Sequence, residues 1–116
     1  VNIIITLASQ GDTNNIDPAL FSDKGGYYKF PNGLILQWGY IGNLSSDKFY
    51  QISFPISFSH KTLSVTCTSK SDKVSDNSPG SPIVSSVTKD YFYMNTDSLM
   101  GSYGNNQESY WMAIGF

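Results

Sequence analysis

The chain has 116 residues, 40% of them hydrophobic and 15% aromatic, and a net charge of −2, which is one domain with enough apolar content to collapse. Seven lysines, no arginine and the single glutamate Glu108 exclude a basic nucleic-acid-binding face and speak against a helical bundle. Ser, Thr, Asn and Gln supply 38 residues, so what remains is an all-β domain with a hydroxyl- and amide-rich surface.

Residues 1–9 place Val1, Ile3, Ile5 and Leu7 on alternate positions, the pattern of a strand. Residues 11–23 are rich in Asn, Asp and Gly and carry Asp17-Pro18; they read as a lead-in to the domain proper. The expected division is therefore 1–24 as lead-in and 25–116 as the domain. The opening Val1-Asn2-Ile3 has no Met and no basic leader, as expected of a piece of something longer.

A hairpin follows. Residues 27–30 form a strand, Pro31-Asn32-Gly33 a turn and 34–40 the return strand, because Pro presets φ and Gly accepts a positive one. Leu34, Leu36 and Trp38 share one face of the return strand and Ile35, Gln37 and Gly39 the other, so a central strand covered on both sides is predicted. Residues 49–54 read as a strand with Tyr50, Ile52 and Phe54 on one side, broken by Pro55, with Phe58 filling the end of the core.

Residues 61–69 alternate most cleanly, Leu63, Val65 and Cys67 inward and Thr62, Ser64, Thr66 and Thr68 outward. Residues 70–81 are nearly devoid of apolar side chains and read as a long loop. Strands over 82–88 and 91–96 meet at a tight turn on Lys89-Asp90, a second long loop runs over 97–108, and 109–116 closes as a strand. That strand sets Tyr110, Met112, Ile114 and Phe116 on one face, Trp111 and Ala113 on the other, with Trp38 and Trp111 both expected in the core. The predicted architecture is an antiparallel β-sandwich of six to seven short strands, preceded by an N-terminal strand and lead-in.

The longest apolar runs, 3–5 and 34–36, are far too short for membrane insertion. The one cysteine, Cys67, leaves no internal disulfide and no cysteine zinc site. Catalysis lacks its parts. His60 is the only histidine and has no patterned partner for a nucleophile, and Asp72 and Asp76 share one Asp-Ser-Gly loop rather than flanking a groove. Neither a calcium loop nor a phosphate-cradling glycine motif is spelled out, so no enzyme, metal or cofactor is expected.

Binding is better supplied. Saccharides are held by aromatic faces against sugar C–H groups and by amides and carboxylates on the hydroxyls. The second long loop sets Tyr103 beside Asn105, Asn106 and Gln107, and the first offers Asp72, Lys73, Asp76 and Asn77. Those eight are the candidate contact residues, and two solvated loops are the plainer reading of the same segments.

Three segments together resemble a known family. FPNGLILQWG at 30–39, FPISF at 54–58 and the ending YWMAIGF at 110–116 are similar, in order and spacing, to the C-terminal domains of bacteriophage tail fibres of Mu-like and related phages and prophages. One segment departs, since the Gly-Phe pair usual before a late strand is replaced around Lys89-Asp90-Tyr91-Phe92. The resemblance covers about residues 25–116 and implies that residues 1–24 are the end of the fibre shaft and its linker. It implies a β-sandwich tip of a homotrimeric fibre at the distal end of the virion, recognising a host surface glycan such as lipopolysaccharide, or an outer-membrane protein. It transfers no contact residue, because its motifs build the sandwich.

A trimer also suits the opening strand, whose Val1, Ile3, Ile5 and Leu7 three copies could bury against one another. Competing readings are a structural cap that registers the trimer without touching a receptor, a small trimeric lectin and a polysaccharide depolymerase.

Overall fold

A computed structural model describes residues 21–22, 25–45, 47–70, 81–96 and 107–116. All of their regular structure is strand. Phe21–Ser22 (β1), Gly25–Lys29 (β2), Ile35–Leu44 (β3), Phe49–Ser53 (β4), Thr62–Lys70 (β5), Ile83–Ser85 (β6), Tyr91–Asn95 (β7) and Gln107–Gly115 (β8) form two antiparallel sheets. One has five strands in the order β1-β2-β3-β8-β5, the other three in the order β4-β7-β6. The antiparallel all-β architecture is as expected, and β1, left in the lead-in by sequence reasoning, adds a two-residue pairing at the edge of the larger sheet.

The hairpin turn works as its residues dictate. Gly33 donates its N–H to the Phe30 carbonyl at 3.0 Å, Gly33 itself takes φ 95°, and Asn32 Oδ1 accepts from the Leu34 N–H at 3.0 Å. A turn followed by one left-handed residue matches the twist of the strands it joins, which only glycine adopts without strain. The Lys89-Asp90 turn also forms. The Thr88 N–H donates to the Tyr91 carbonyl at 2.8 Å, and Thr88 Oγ1 accepts from the Tyr91 N–H at 3.0 Å. β6 is shorter than predicted, because Ser86 turns left-handed (φ 49°) and ends its pairing with β7.

The core lies between the sheets. Ile35, Leu44, Ile52, Phe54, Phe58, Phe92, Met94, Trp111 and Ala113 are buried and packed together, with Val65, Cys67 and Val84 half-buried against them. Full burial of an aromatic such as Phe58 or Phe92 is worth about 1.5–3 kcal/mol, so this cluster is what holds two small sheets together. Trp111 touches Phe54 and Phe92 with ring centroids 5.8 and 5.4 Å apart.

Three sequence expectations are corrected. β3 does alternate, but its buried face is Ile35, Gln37 and Gly39, and Trp38 lies on the other, outer face, half-buried rather than in the core. Leu63 is 53% exposed, because a β-bulge between Thr62 and Ser64 turns it out of the inward row. Gln107 and Glu108 belong to β8 and not to a loop, since they continue its ladder opposite Leu44 and Lys70.

Strand directions give the domain two distinct ends. One carries the Gly33 turn, the Lys89-Asp90 turn and Phe116, whose main-chain oxygen accepts from the N–H groups of His60 and Lys61. The other carries Leu44, Phe49, Lys70, Ile83, Asn95 and Gln107, which stand level through the pairs Leu44–Gln107, Lys70–Glu108, Phe49–Asn95 and Ile83–Asn95. β1 pairs Phe21 with Gly26 and Ser22 with Gly25, so it runs antiparallel to β2, level with Trp38 and Gly39 in the middle of β3.

Candidate functional site

The two segments that sequence reasoning singled out are each bounded by residues of the same end. Segment 71–80 leaves from Lys70 and returns before Ile83, and segment 97–106 leaves after Asn95 and returns at Gln107. Tyr103, Asn105, Asn106, Asp72, Lys73, Asp76 and Asn77 lie outside the described residues. Gln107 is described. It sits half-buried at the start of β8 opposite Leu44, which makes it part of the sheet on which a loop is mounted rather than a loop tip.

A third connection at this end, between β3 and β4, is held by buried hydrogen bonds. Thr96, fully buried, donates its hydroxyl to the Ser45 carbonyl and its N–H to the Lys48 carbonyl at 2.9 Å. The Ser45 N–H in turn donates to the Tyr50 hydroxyl at 2.8 Å. Asn43 and Asp47 both take φ 57°, the left-handed region that Asn and Asp tolerate better than most side chains. Thr96 directly follows β7, so the residue before segment 97–106 is hydrogen-bonded to this connection.

The same end carries a small polar cluster on the outside of the larger sheet. The Tyr40 hydroxyl donates to Glu108 Oε1, and Lys70 Nζ stands 3.4 Å from Glu108 Oε2. Tyr40 also lies against Tyr110, ring centroids 5.9 Å apart. The bond to Glu108 holds the Tyr40 phenol above its ordinary value near 10, with some help from desolvation. Sequence reasoning missed this cluster. Its members are separated by up to 68 residues and meet only because β3, β8 and β5 are neighbours in register.

At the opposite end an open groove of about 450 Å³ is lined by Asn32, Gly33, Leu34, Ser59, His60 and Phe116. His60 stacks on Phe116 with ring centroids 5.5 Å apart and an interplanar angle of 18°. Among the described residues no three metal-ligating side chains come together.

With the two-sheet fold and its loop-bearing end defined, comparison with known proteins gives the class. The chain belongs to the family described as "tail fiber protein gp53-like, C-terminal", which matches residues 29–116. It is thus a tail-fibre C-terminal domain, as the three sequence segments implied.

Solved structures carry the same fold. The N-truncated R2-type pyocin tail fiber superposes with a TM-score of 0.65 at 22% identity, over 79% of this chain and 34% of that one. An R2 pyocin fiber from P. aeruginosa gives the same score and identity over 24% of its chain. The N-truncated R1-type pyocin tail fiber gives 0.54 at 20% identity and is covered over 85% of its length. A curated relative, "Uncharacterized protein MJ0347" of Methanocaldococcus jannaschii, is 44% identical over 45 residues, 37% of this chain. The chain spans about a third of the length of that relative, 30%, and of the first pyocin fibre, 34%.

Proposed function

We propose that this domain is the receptor-recognising tip of its fibre, acting at the distal end of the virion on the host bacterial surface as part of a homotrimer. The observation that carries the reading is that segments 71–80 and 97–106 both start and finish at one end of the sandwich, the end that also bears the connection between β3 and β4.

Loops on a rigid sandwich are where recognition residues are commonly carried, because they vary in shape without disturbing the core. The composition of these two favours a surface glycan: Tyr103 offers a ring face, and Asn105, Asn106, Asp72, Asp76 and Asn77 offer donors and acceptors. An outer-membrane protein is the alternative partner. The domain acts by binding and not by catalysis. Individually weak contacts gain from being presented three at a time, since the second and third engagements are intramolecular.

The test is binding of the labelled chain to a panel of bacterial strains, read by flow cytometry, with Tyr103→Ala, Asn105→Ala and Asp76→Ala alongside. Strain-selective binding lost in the folded loop variants is the expected result. Binding unchanged in all three, or absent on every strain the parent phage infects, would assign the domain the role of a structural cap. Release of reducing ends from host glycan by the chain alone would make it a depolymerase.

A further inference from the structure

On the outer face of the larger sheet, register sets Tyr40, Tyr110 and Thr68 in one row across β3, β8 and β5. Glu108 and Lys70 form the next row, about 7 Å further along β8. Segment 71–80 leaves directly from Lys70, and segment 97–106 returns through Gln107 to Glu108, so this patch lies at the foot of both. Its centre is a ring. Tyr110 is 49% exposed and leans against the Tyr40 ring at 56°, while Tyr40 is fixed by donating its hydroxyl to Glu108. Thr68 flanks Tyr110 on the other side and is exposed, and Thr66 and Ser64, exposed too, continue the hydroxyl row along the edge strand β5.

We infer that this patch is a subsite for an uncharged saccharide, held by the Tyr110 ring and by Lys70 and Glu108 acting together on two neighbouring sugar hydroxyls. A vicinal diol both donates and accepts, so an ammonium beside a carboxylate matches it: one hydroxyl accepts from Lys70 Nζ and its neighbour donates to Glu108. Lys70 Nζ and Glu108 Oε2 stand 3.4 Å apart, and both side chains are 27% exposed, sheltered and still open to solvent. A carboxylate oxygen has two lone pairs, so Oε1 and Oε2 each keep one for a ligand after accepting from Tyr40 and Lys70. The opposite charges of the pair cancel, and an acidic or basic ligand would set its own charge against a like one. The apolar C–H side of a pyranose then meets the exposed Tyr110 face. The groove at the Gly33 end also offers rings, those of His60 and Phe116, but no acidic side chain in its lining. This subsite rests on the glycan reading of the tip and adds contacts for it in the sheet itself.

An amide NMR titration of the full chain with the methyl pyranosides of glucose, galactose and mannose tests it. Between them these sugars present neighbouring hydroxyls in both equatorial–equatorial and axial–equatorial pairs. At least one is expected to move the signals of Thr68, Glu108 and Tyr110 saturably, with a Kd of roughly 1–10 mM. The signal of His60, at the far end of the domain, should stay still. Tyr110→Ala should abolish the movement at Thr68 and Glu108, and Glu108→Gln should weaken binding about tenfold, as for the loss of one charge-assisted hydrogen bond. Tyr110→Phe, which keeps the ring face, and Tyr93→Ala, on the smaller sheet, should bind as the wild type does. Lys70→Gln replaces either weakened variant whose spectrum shows it unfolded. No movement with any of the three sugars, or binding unchanged in Glu108→Gln or in Tyr110→Ala, would overturn the subsite and leave the tip reading to the strain panel. Sugar binding at this patch together with no strain bound would keep the subsite and overturn the tip.

Discussion

Gln37 and Ile56 are joined by a pair of opposed hydrogen bonds: the Gln37 side-chain Nε2 donates to the Ile56 carbonyl at 2.9 Å, and the Ile56 N–H donates to Gln37 Oε1 at 3.1 Å. Gln37 is fully buried, so a primary amide placed in the core imitates a strand partner for a segment that Pro55 prevents from pairing regularly. The contact also joins two of the three segments that resemble the tail-fibre family. The third is locked to both, through Trp111 against Phe54 and over Gly39, and through Gly115 under Phe58. Those segments thus form one contact unit, which is the physical reason they occur together.

Removing the amide leaves the half-buried N–H and carbonyl of Ile56 without these partners. Gln37→Leu, which keeps the volume, is expected to lose about 2–4 kcal/mol in urea unfolding. Gln37→Glu adds a pH dependence. A protonated carboxyl can reproduce both bonds, whereas a carboxylate faces the Ile56 carbonyl, so its folded-state pKa is raised. The variant is then closest to wild type below the unfolded value of ~4.3 and loses stability as pH rises above it. Urea midpoints at pH 4 and 7 check the sign.

Gly39 lies under the Trp111 indole, and a Cβ there would come within 2.6 Å of Cζ2. The indole is wedged between Phe54 and Phe92 and cannot withdraw. Gly39→Ala is therefore expected to destabilise the domain by about 1–3 kcal/mol, in contrast to the near-neutral effect of Gly→Ala at an open strand site. Thermal unfolding of the two kinds of variant side by side measures the difference.

Burial pushes the Cys67 thiol up to about 12, with no charged neighbour offsetting it. At pH 8 the folded chain should react with Ellman's reagent far more slowly than the urea-unfolded chain, whose thiol ionises near ~8.5. The linked stability change has a fixed sign. The native state keeps its proton while the unfolded state loses it, so stability present below ~8.5 falls as pH rises toward 12, and Cys67→Ala should remove that dependence.

Glu108→Gln takes away the main cause of the raised Tyr40 phenol. Ultraviolet difference titration between the variant and the wild type should show one tyrosine moving down toward pH 10. No such movement would mean that the Tyr40–Glu108 bond does not persist in solution.

Period-two alternation found the strands and, for β3 and β8, sorted the side chains correctly into two faces, since alternation is a local property. What it could not decide was which face is inside. For β3 both candidates were rich in apolar residues, and the inward row proved to hold a glutamine and a glycine, chosen by Ile56 and Trp111, partners distant in sequence. Leu63 failed for a related reason: a bulge shifts register by one residue without changing the composition that periodicity reads. The turn at Gly33 was legible because Pro, Asn and Gly dictate backbone angles by themselves. The Tyr40–Glu108–Lys70 cluster was not, because nothing local records which strands lie side by side.

The direction of the strands has a mechanical consequence. A load applied between the Gly33 end and the end carrying Leu44, Lys70 and Gln107 runs lengthwise along β3, β5 and β8, so the ladder bonds between them are sheared together and not unzipped one after another. The β1–β2 pairing holds only Phe21 and Ser22. A pull on the chain ahead of Phe21 would release that pair before it disturbed the long ladders behind it.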